Sequence, residues 1–558
     1  MILASKEKIK EYTELGWWGE TTLLDYFNEH VKNMPDTVAL VDPPNKEELT
    51  GFEPERITYR ELNNRINALA TAFINSGLQK DEIVLVQLPN CIELAMLYFA
   101  VTRAGGLITP VPMAWRYKEL SYIVGLTRAK IFITMDSFKD FNHYQLGEKL
   151  GAEYDNLQQV MDLSKLREMA TQDPDLEKLN RVHVDGNDVF TLCWTSGTEA
   201  EPKGCPLSHN NWINLCTMEV EVLDLAPGDV LFTAGPLVNM ASVGTVFIPW
   251  IITGGTFVIH HPFDARIFIQ QLMQEKVNYT LLVPAIANAI VKHPSVDQFD
   301  LGSVRAITIG SAPPSLFTMQ EFKRRWDIDI GNIWGQNEGT GIISSAKDVP
   351  DMETRVDHLP FFGRKGVGWS SRIAEERMDT KLVSPETGKE VTQPGEVGEL
   401  AFKGTTIIPG YFRRQDLTDK SFDQDGYFYT GDLFTLKPDN YIGFFERKKD
   451  IIVRGGYNIS AQEVENIVLA HPKVMEVAAI GIPDDYLGER TCVFVTPAQE
   501  ESIELDEIVD FLQEQGIAKY KFPERLEVVE QMPRNPVGKL LKKDLKEILK
   551  ARMQDEHL

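Results

Sequence analysis

The stretch from Thr58 to Val111, TYRELNNRINALATAFINSGLQKDEIVLVQLPNCIELAMLYFAVTRAGGLITPV, decides the fold class. Thr58-x-x-Glu61 is a capping box, in which a hydroxyl and a carboxylate satisfy backbone N–H groups left open where a helix begins. Leu62, Ile66, Leu69 and Phe73 then recur at spacings of four, three and four, which is one face of a helix, and Gly77 closes it. The apolar run Ile83 to Leu88 reads as a strand, Cys91 to Ala104 as a helix and Leu107 to Val111 as the next strand. Strand, helix and strand in that order imply right-handed crossovers and a largely parallel sheet.

Working outward, further strands are expected at Ile131 to Met135, Phe190 to Trp194, Phe257 to His260, Tyr279 to Val283 and Val304 to Ile309. The fold class is therefore α/β, with a large N-terminal domain of doubly covered, mainly parallel sheets. Near Pro394-Gly395 the character shifts to short, Gly-punctuated strands such as Glu399-Leu400-Ala401-Phe402, a small β-rich subdomain over roughly 360–446. Arg447-Lys448-Lys449-Asp450 then separates the strand Tyr441 to Phe445 from a last α+β module. That module opens with its own cap, Ser460-x-x-Glu463, and a helix face of Val464, Ile467 and Val468. A charge cluster of this kind is commonly a solvated face; at a change of module it reads as a hinge. The expected domains are 1–446 and a mobile 447–558, with the hinge at 447–450.

At 558 residues the chain exceeds one core of about 100–200 residues, in keeping with that division. Its formal charge of −25 argues against nonspecific binding to nucleic acid or to an anionic membrane. A polyanionic substrate must then meet locally basic surface. Cys91, Cys193, Cys205, Cys216 and Cys492 form no CxxC pair, which fits a reducing compartment and a cytoplasmic location. The N-terminus has no apolar run of signal-peptide length. Val243 to Ile259 is broken by Pro249 and Gly254-Gly255 and falls short of the roughly 20 residues of a membrane span, so a buried helix followed by a strand is expected there and no transmembrane segment.

The most informative chemistry lies in Thr195-Ser196-Gly197-Thr198-Glu199-Ala200-Glu201-Pro202-Lys203-Gly204, directly after an expected strand. Hydroxyls, backbone N–H groups freed by glycine and a lysine are what a phosphate-wrapping loop requires. A polar surface turn is the competing reading. It is not a Walker A loop, because Gly204 follows Lys203 where Ser or Thr is needed.

With this loop stand Trp334-Gly335-Gln336-Asn337-Glu338, Gly395-Glu396-Val397-Gly398-Glu399-Leu400 and Tyr429-Thr430-Gly431-Asp432. They are followed by Glu446-Arg447-Lys448-Lys449-Asp450-Ile451-Ile452 with Gly455-Gly456-Tyr457-Asn458-Ile459, and by Pro533-Arg534-Asn535-Pro536-Val537-Gly538-Lys539. Six motifs in this order resemble the adenylate-forming superfamily of acyl-CoA synthetases, acid:AMP ligases, nonribosomal adenylation domains and firefly luciferase. The resemblance implies adenylation of a carboxylic acid by ATP, release of pyrophosphate, and transfer of the acyl group to coenzyme A.

On the resemblance, Thr195, Ser196, Gly197, Thr198 and Lys203 wrap phosphates, Thr198 is counted with the catalytic residues, and Glu338 is the Mg²⁺ ligand. A carboxylate must attack phosphorus while both partners are anionic, so cations and donors must dominate such a site. Gly310, Ser311, Ala312 and Trp334 resemble the adenine pocket, and Gly335 and Asn337 go with the nucleotide. Asp432 matches the acceptor of both ribose hydroxyls, and Arg447 a second ribose or phosphate contact. Lys539 is the catalytic cation, a point charge that reaches the carboxylate and the α-phosphate. Lys449 matches the hinge about which the small domain rotates between half-reactions, bringing Arg454, Gly455, Gly456 and Tyr457 to the thiol. Lys448, Arg454, Lys519 and Lys521 are candidates for the coenzyme A phosphates, with solvated surface an equal reading for each.

The chain departs from the family pattern at Glu199-Ala200, where Thr-Gly is usual. In the acid-binding segment Asn239 stands where many acyl-CoA synthetases have His, and the His-Asn-Tyr of dihydroxybenzoate ligases is missing. Met240, Val243 and Gly244 suggest an apolar slot for an aliphatic, alicyclic or simple aryl acid. Two other readings remain: transfer to the phosphopantetheine of a carrier protein, and a non-catalytic adenylate-binding regulator.

Overall fold

The computed structural model describes residues 1–195, 201–454, 457–484, 486–498, 501–534 and 540–555. The chain divides into two compact units, residues 1–380 with 402–428, and residues 381–401 with 429–558. The strands Met378–Val383 and Val397–Gly404 run across that division, and the expected hinge at 447–450 lies inside the second unit.

Apolar runs made the sheets of the first unit. Ile83–Val86 and Leu107–Pro110 are buried at every position, as strands covered on both faces must be. They are neighbours at the centre of a six-stranded sheet, parallel throughout except for the edge pair Val189–Thr195 and Lys203–Ser208. An eight-stranded sheet carries Val230–Thr233, Thr256–Ile259, Tyr279–Leu282 and Ala306–Ile309 in its parallel centre, with antiparallel strands at both edges. The helix Tyr59–Asn75 begins at the full capping box of Thr58 and Glu61, and Gly77 follows it at φ +89°. Strands end sooner than their apolar runs. Past Val86 the side-chain amide of Gln87 donates to the carbonyls of Pro112 and Trp115.

The segment Val243 to Ile259 is a buried helix followed by a strand, with one irregularity. Val243–Phe247 forms a π turn, closed by the Ile248 N–H reaching back to the Val243 carbonyl, before the α-helix Ile248–Thr253. Pro249, near the start of that helix, has no N–H to give. Among the described residues no helix is long and apolar enough to cross a membrane.

One buried acid lies beside this turn. The Tyr279 hydroxyl sits 3.0 Å from Glu219 Oε1 and 2.7 Å from Thr308 Oγ1, and burial pushes the Glu219 carboxyl up to about 8. It is neutral in the fold at pH 7, whereas the unfolded chain releases that proton near 4.5. Its stability contribution is therefore intact below pH 4.5 and drains away as pH rises towards 8. Glu219→Gln, which keeps an acceptor for Tyr279, is expected to stabilise the protein at pH 7 by up to about 3 kcal/mol and to change little at pH 4.5. Thermal unfolding of both proteins across that range checks this; parallel pH profiles would refute it.

The second unit holds the antiparallel strands Phe428–Leu436, from Tyr429 on, and Tyr441–Arg447, then a sheet built on the long hairpin Val474–Asp484 and Gly488–Pro497. The helices Ala461–Val468, Leu505–Glu514 and Lys542–Asp555 accompany it. Val464, Val468, Ile508 and Leu512 form its core with Val493 and Val495. Ser460 caps the first helix by accepting the Glu463 N–H.

Candidate active site

In the first unit the candidate residues gather around two hairpins. The strands Val189–Thr195 and Lys203–Ser208 pair antiparallel, with Thr195 opposite Lys203. The loop between them begins with Ser196, Gly197 and Thr198, which lie outside the described residues together with Glu199 and Ala200. Thr195 Oγ1 is buried with no hydrogen-bond partner among the described residues. A buried hydroxyl left unmatched costs stability and calls for an explanation.

The second hairpin pairs Asp329–Gln336 with Thr340–Ser344 and carries Asn337 and Glu338 at its tip. Gly339 makes the turn possible. Its φ is +93°, and a Cβ there would lie 2.0 Å from the Thr406 carbonyl oxygen. Gly339→Ala is expected to cost about 2–4 kcal/mol, read as a lower Tm, because strain and overlap add. An unchanged Tm would mean that the turn rearranges freely.

Glu338 is 7% exposed, and its Oε1 accepts the Tyr411 hydroxyl at 2.7 Å. Burial and then the Glu338 charge drive the Tyr411 phenol far above its ordinary range, so it stays a donor. The Lys203 ammonium lies 5.2 Å from the centre of the Tyr411 ring, which gathers Lys203, Tyr411 and Glu338 into one cluster. Sequence reasoning missed Tyr411; its place in Pro409-Gly410-Tyr411, after the strand at 397–404, was the only signal. Among the described residues no three His, Cys, Asp or Glu side chains converge as a metal cage. A single carboxylate fits Mg²⁺, which prefers one or two carboxylates with phosphate and water oxygens completing its shell.

The Asn337 side chain is held by two main-chain groups. Its Nδ2 donates to the Trp194 carbonyl at 2.9 Å and its Oδ1 accepts the Met240 N–H at 2.8 Å. It thus ties the strand ending at Thr195 to the start of the helix Met240–Ser242. Asn239 caps the short helix Met240–Ser242. Around Gly244 the packing is close: a Cβ there would lie 2.7 Å from Met240 Sδ and 3.1 Å from the Trp212 ring, and Val243 is fully buried. Gly310 and Ser311 form the turn after Ala306–Ile309, with Ser311 at φ +74° and Ala312 next. Gly335 approaches the Thr340 carbonyl too closely for any side chain, and Trp334 stacks on Phe402.

In the second unit Asp432 faces Arg447 across the strand pair, with Arg447 Nε 3.7 Å from Asp432 Oδ1. Gly431, at φ +72°, donates its N–H to Glu399, which also pairs with Lys448. Lys449 lies in the turn that follows, and Glu446 just before it accepts the Gln462 N–H at 2.8 Å. Arg454 pairs with Glu524 and Lys521 with Glu463, so both cations already have carboxylate partners. Tyr457 stacks on Tyr520 at 4.5 Å. Gly455, Gly456 and Lys539 lie outside the described residues.

Parallel sheets, a buried carboxylate on a hairpin tip, and an aspartate paired with an arginine in the second unit fit the class of adenylate-forming ligases. The chain belongs to the AMP-binding enzyme family, whose sequence profile matches residues 27–412; that of the AMP-binding enzyme C-terminal domain matches 463–539. It is 29% identical to the medium-chain fatty-acid–CoA ligase of Escherichia coli (strain K12), over 99% of this chain and 94% of the relative. It is equally, 29%, identical to the 2,3-dihydroxybenzoate-AMP ligase of Bacillus subtilis (strain 168), over 98% and 97%. Its fold matches the crystal structure of ATP-bound MatB from Rhodopseudomonas palustris with a TM-score of 0.80 at 24% identity, covering 95% and 99% of the two chains.

Proposed function

We propose that this ligase adenylates a carboxylic acid with ATP and passes the acyl group to the thiol of coenzyme A. The observation that carries the reading is the Glu338 cluster beside Thr195, whose buried hydroxyl has no other partner among the described residues. Thr195, Ser196, Gly197, Thr198 and Lys203 hold the ATP phosphates, Asp432 and Arg447 the ribose, and Gly310, Ser311, Ala312 and Trp334 the adenine. Glu338 holds Mg²⁺, which when bound neutralises phosphate charge. Lys539 supplies the cation that steadies the acid carboxylate against the α-phosphate, and Lys449 is the pivot on which the last module turns between the half-reactions. Asn239, Met240, Val243 and Gly244 face the acid, which is aliphatic, alicyclic or simple aryl; Met240 sets its size, since its flexible thioether lies across Gly244.

Transfer to a carrier protein is the second reading, favoured by the equal identity to an acid-AMP ligase. ATP–pyrophosphate exchange over a panel of acids, followed by mass analysis of thioester formed with coenzyme A or with a holo carrier protein, tests both. Exchange with no acid at all would overturn adenylation; thioester on the carrier alone would replace coenzyme A as acceptor.

A further inference from the structure

The acid-binding segment leaves the strand Val230–Thr233 at its carboxyl end, where ligands of parallel sheets gather. Between that strand and the helix Met240–Ser242 it has no ladder of its own, so its backbone groups must find partners elsewhere. Most of those partners are side chains. The Gly235 carbonyl accepts Asn90 Nδ2 at 2.8 Å, and the Leu237 N–H donates to Asn90 Oδ1 at 2.9 Å. Tyr98 donates its hydroxyl to the Leu237 carbonyl, and Asn337 accepts the Met240 N–H. Within the segment, Val238 bonds Pro236 and Gly235 N–H reaches Thr233 Oγ1.

Asn90 makes the most of these contacts. It is 1% exposed, and its Nδ2 also donates to the His260 carbonyl at 3.1 Å, at the end of the neighbouring strand Thr256–Ile259. Two carbonyls on the amide nitrogen and one N–H on the amide oxygen fix the orientation of this side chain, because the flipped amide would set oxygen against oxygen. One buried amide therefore joins three stretches of chain around the start of the acid-binding segment.

We infer that Asn90 is a positioning residue for the carboxylic acid: by fixing Gly235 and Leu237 it sets where Asn239 and Met240 stand, without touching nucleotide. This rests on the proposed adenylation of an acid beside residues 239–244. Gln87 provides the matched comparison. It is a fully buried amide three residues earlier, donating to Pro112 and Trp115 carbonyls, with no bond to the acid-binding segment among its hydrogen bonds.

The test compares Asn90→Ala, Asn90→Asp and Gln87→Ala with the unaltered protein in acid-dependent ATP–pyrophosphate exchange. Asn90→Ala is expected to raise the KM for the acid about tenfold while the KM for ATP moves less than about twofold, since two hydrogen bonds to residues 235–237 and one to His260 are lost and none to a residue proposed for the nucleotide. Asn90→Asp, which keeps the acceptor for Leu237 and loses both donated bonds, falls between. Gln87→Ala lowers Tm without that split. Hydrogen–deuterium exchange of the 235–241 peptide, read without substrate, rises in Asn90→Ala and not in Gln87→Ala. Equal rises in both KM values, or the same split in Gln87→Ala, would overturn the inference and leave the functional reading standing. Absence of acid-dependent exchange in the unaltered protein would overturn the functional reading, and this inference with it.

Discussion

Lys539→Ala is expected to lower acid-dependent ATP–pyrophosphate exchange by about 10²–10³-fold, the cost of losing one preorganised charge at a reacting centre. The carboxylate and the α-phosphate repel each other, and the attack builds further charge on the leaving pyrophosphate. A compact ammonium on a flexible stem is suited to balance both. Pro533 and Gly538 flank the residue in the sequence. The same variant given a synthetic acyl adenylate is expected to make thioester at close to the normal rate, because by then the phosphoryl chemistry is over. Equal loss in both half-reactions would place Lys539 outside the adenylation step and remove the case for rotation about Lys449.

Glu338→Gln is the second large effect. Glutamine keeps an oxygen that accepts the Tyr411 hydroxyl and discards the charge, so the fold around the hairpin should survive while the hard anionic donor is gone. The Mg²⁺ concentration for half-maximal exchange is expected to rise about ten- to hundredfold, and exchange at low Mg²⁺ to fall about 100-fold. Calorimetric titration of ATP with and without Mg²⁺ gives a readout free of turnover: the unaltered protein binds the Mg²⁺ complex more tightly, and the variant loses that preference. Retained preference in Glu338→Gln would move the metal site elsewhere.

Much of the fold was legible because the signals are local. The Thr58 and Glu61 cap, the spacing of Leu62, Ile66, Leu69 and Phe73, and the apolar runs from 83, 107, 279 and 304 each lie within a few residues, and the structure builds a helix or strand on each. The residue types of the candidate site were legible for the same reason, since each motif is a short string. The π turn at Val243–Phe247 was not. Apolar periodicity does not distinguish an i+4 from an i+5 return.

The sequence alone determined the α/β order, the helix caps, the parallel strands covered on both faces and the set of hydroxyls, glycines, carboxylates and cations proposed for the chemistry. Tertiary structure alone decided how they are held. Tyr411 reaches Glu338 across 73 residues, and Asn90 reaches Gly235 across 145. It also decided that Met240 and Trp212 close over Gly244, and that Asn337 bridges Trp194 and Met240. The reason is physical: secondary structure follows from side-chain periodicity and caps within one or two turns, whereas a buried amide or phenol finds its partner only when folding brings distant segments into a site without water.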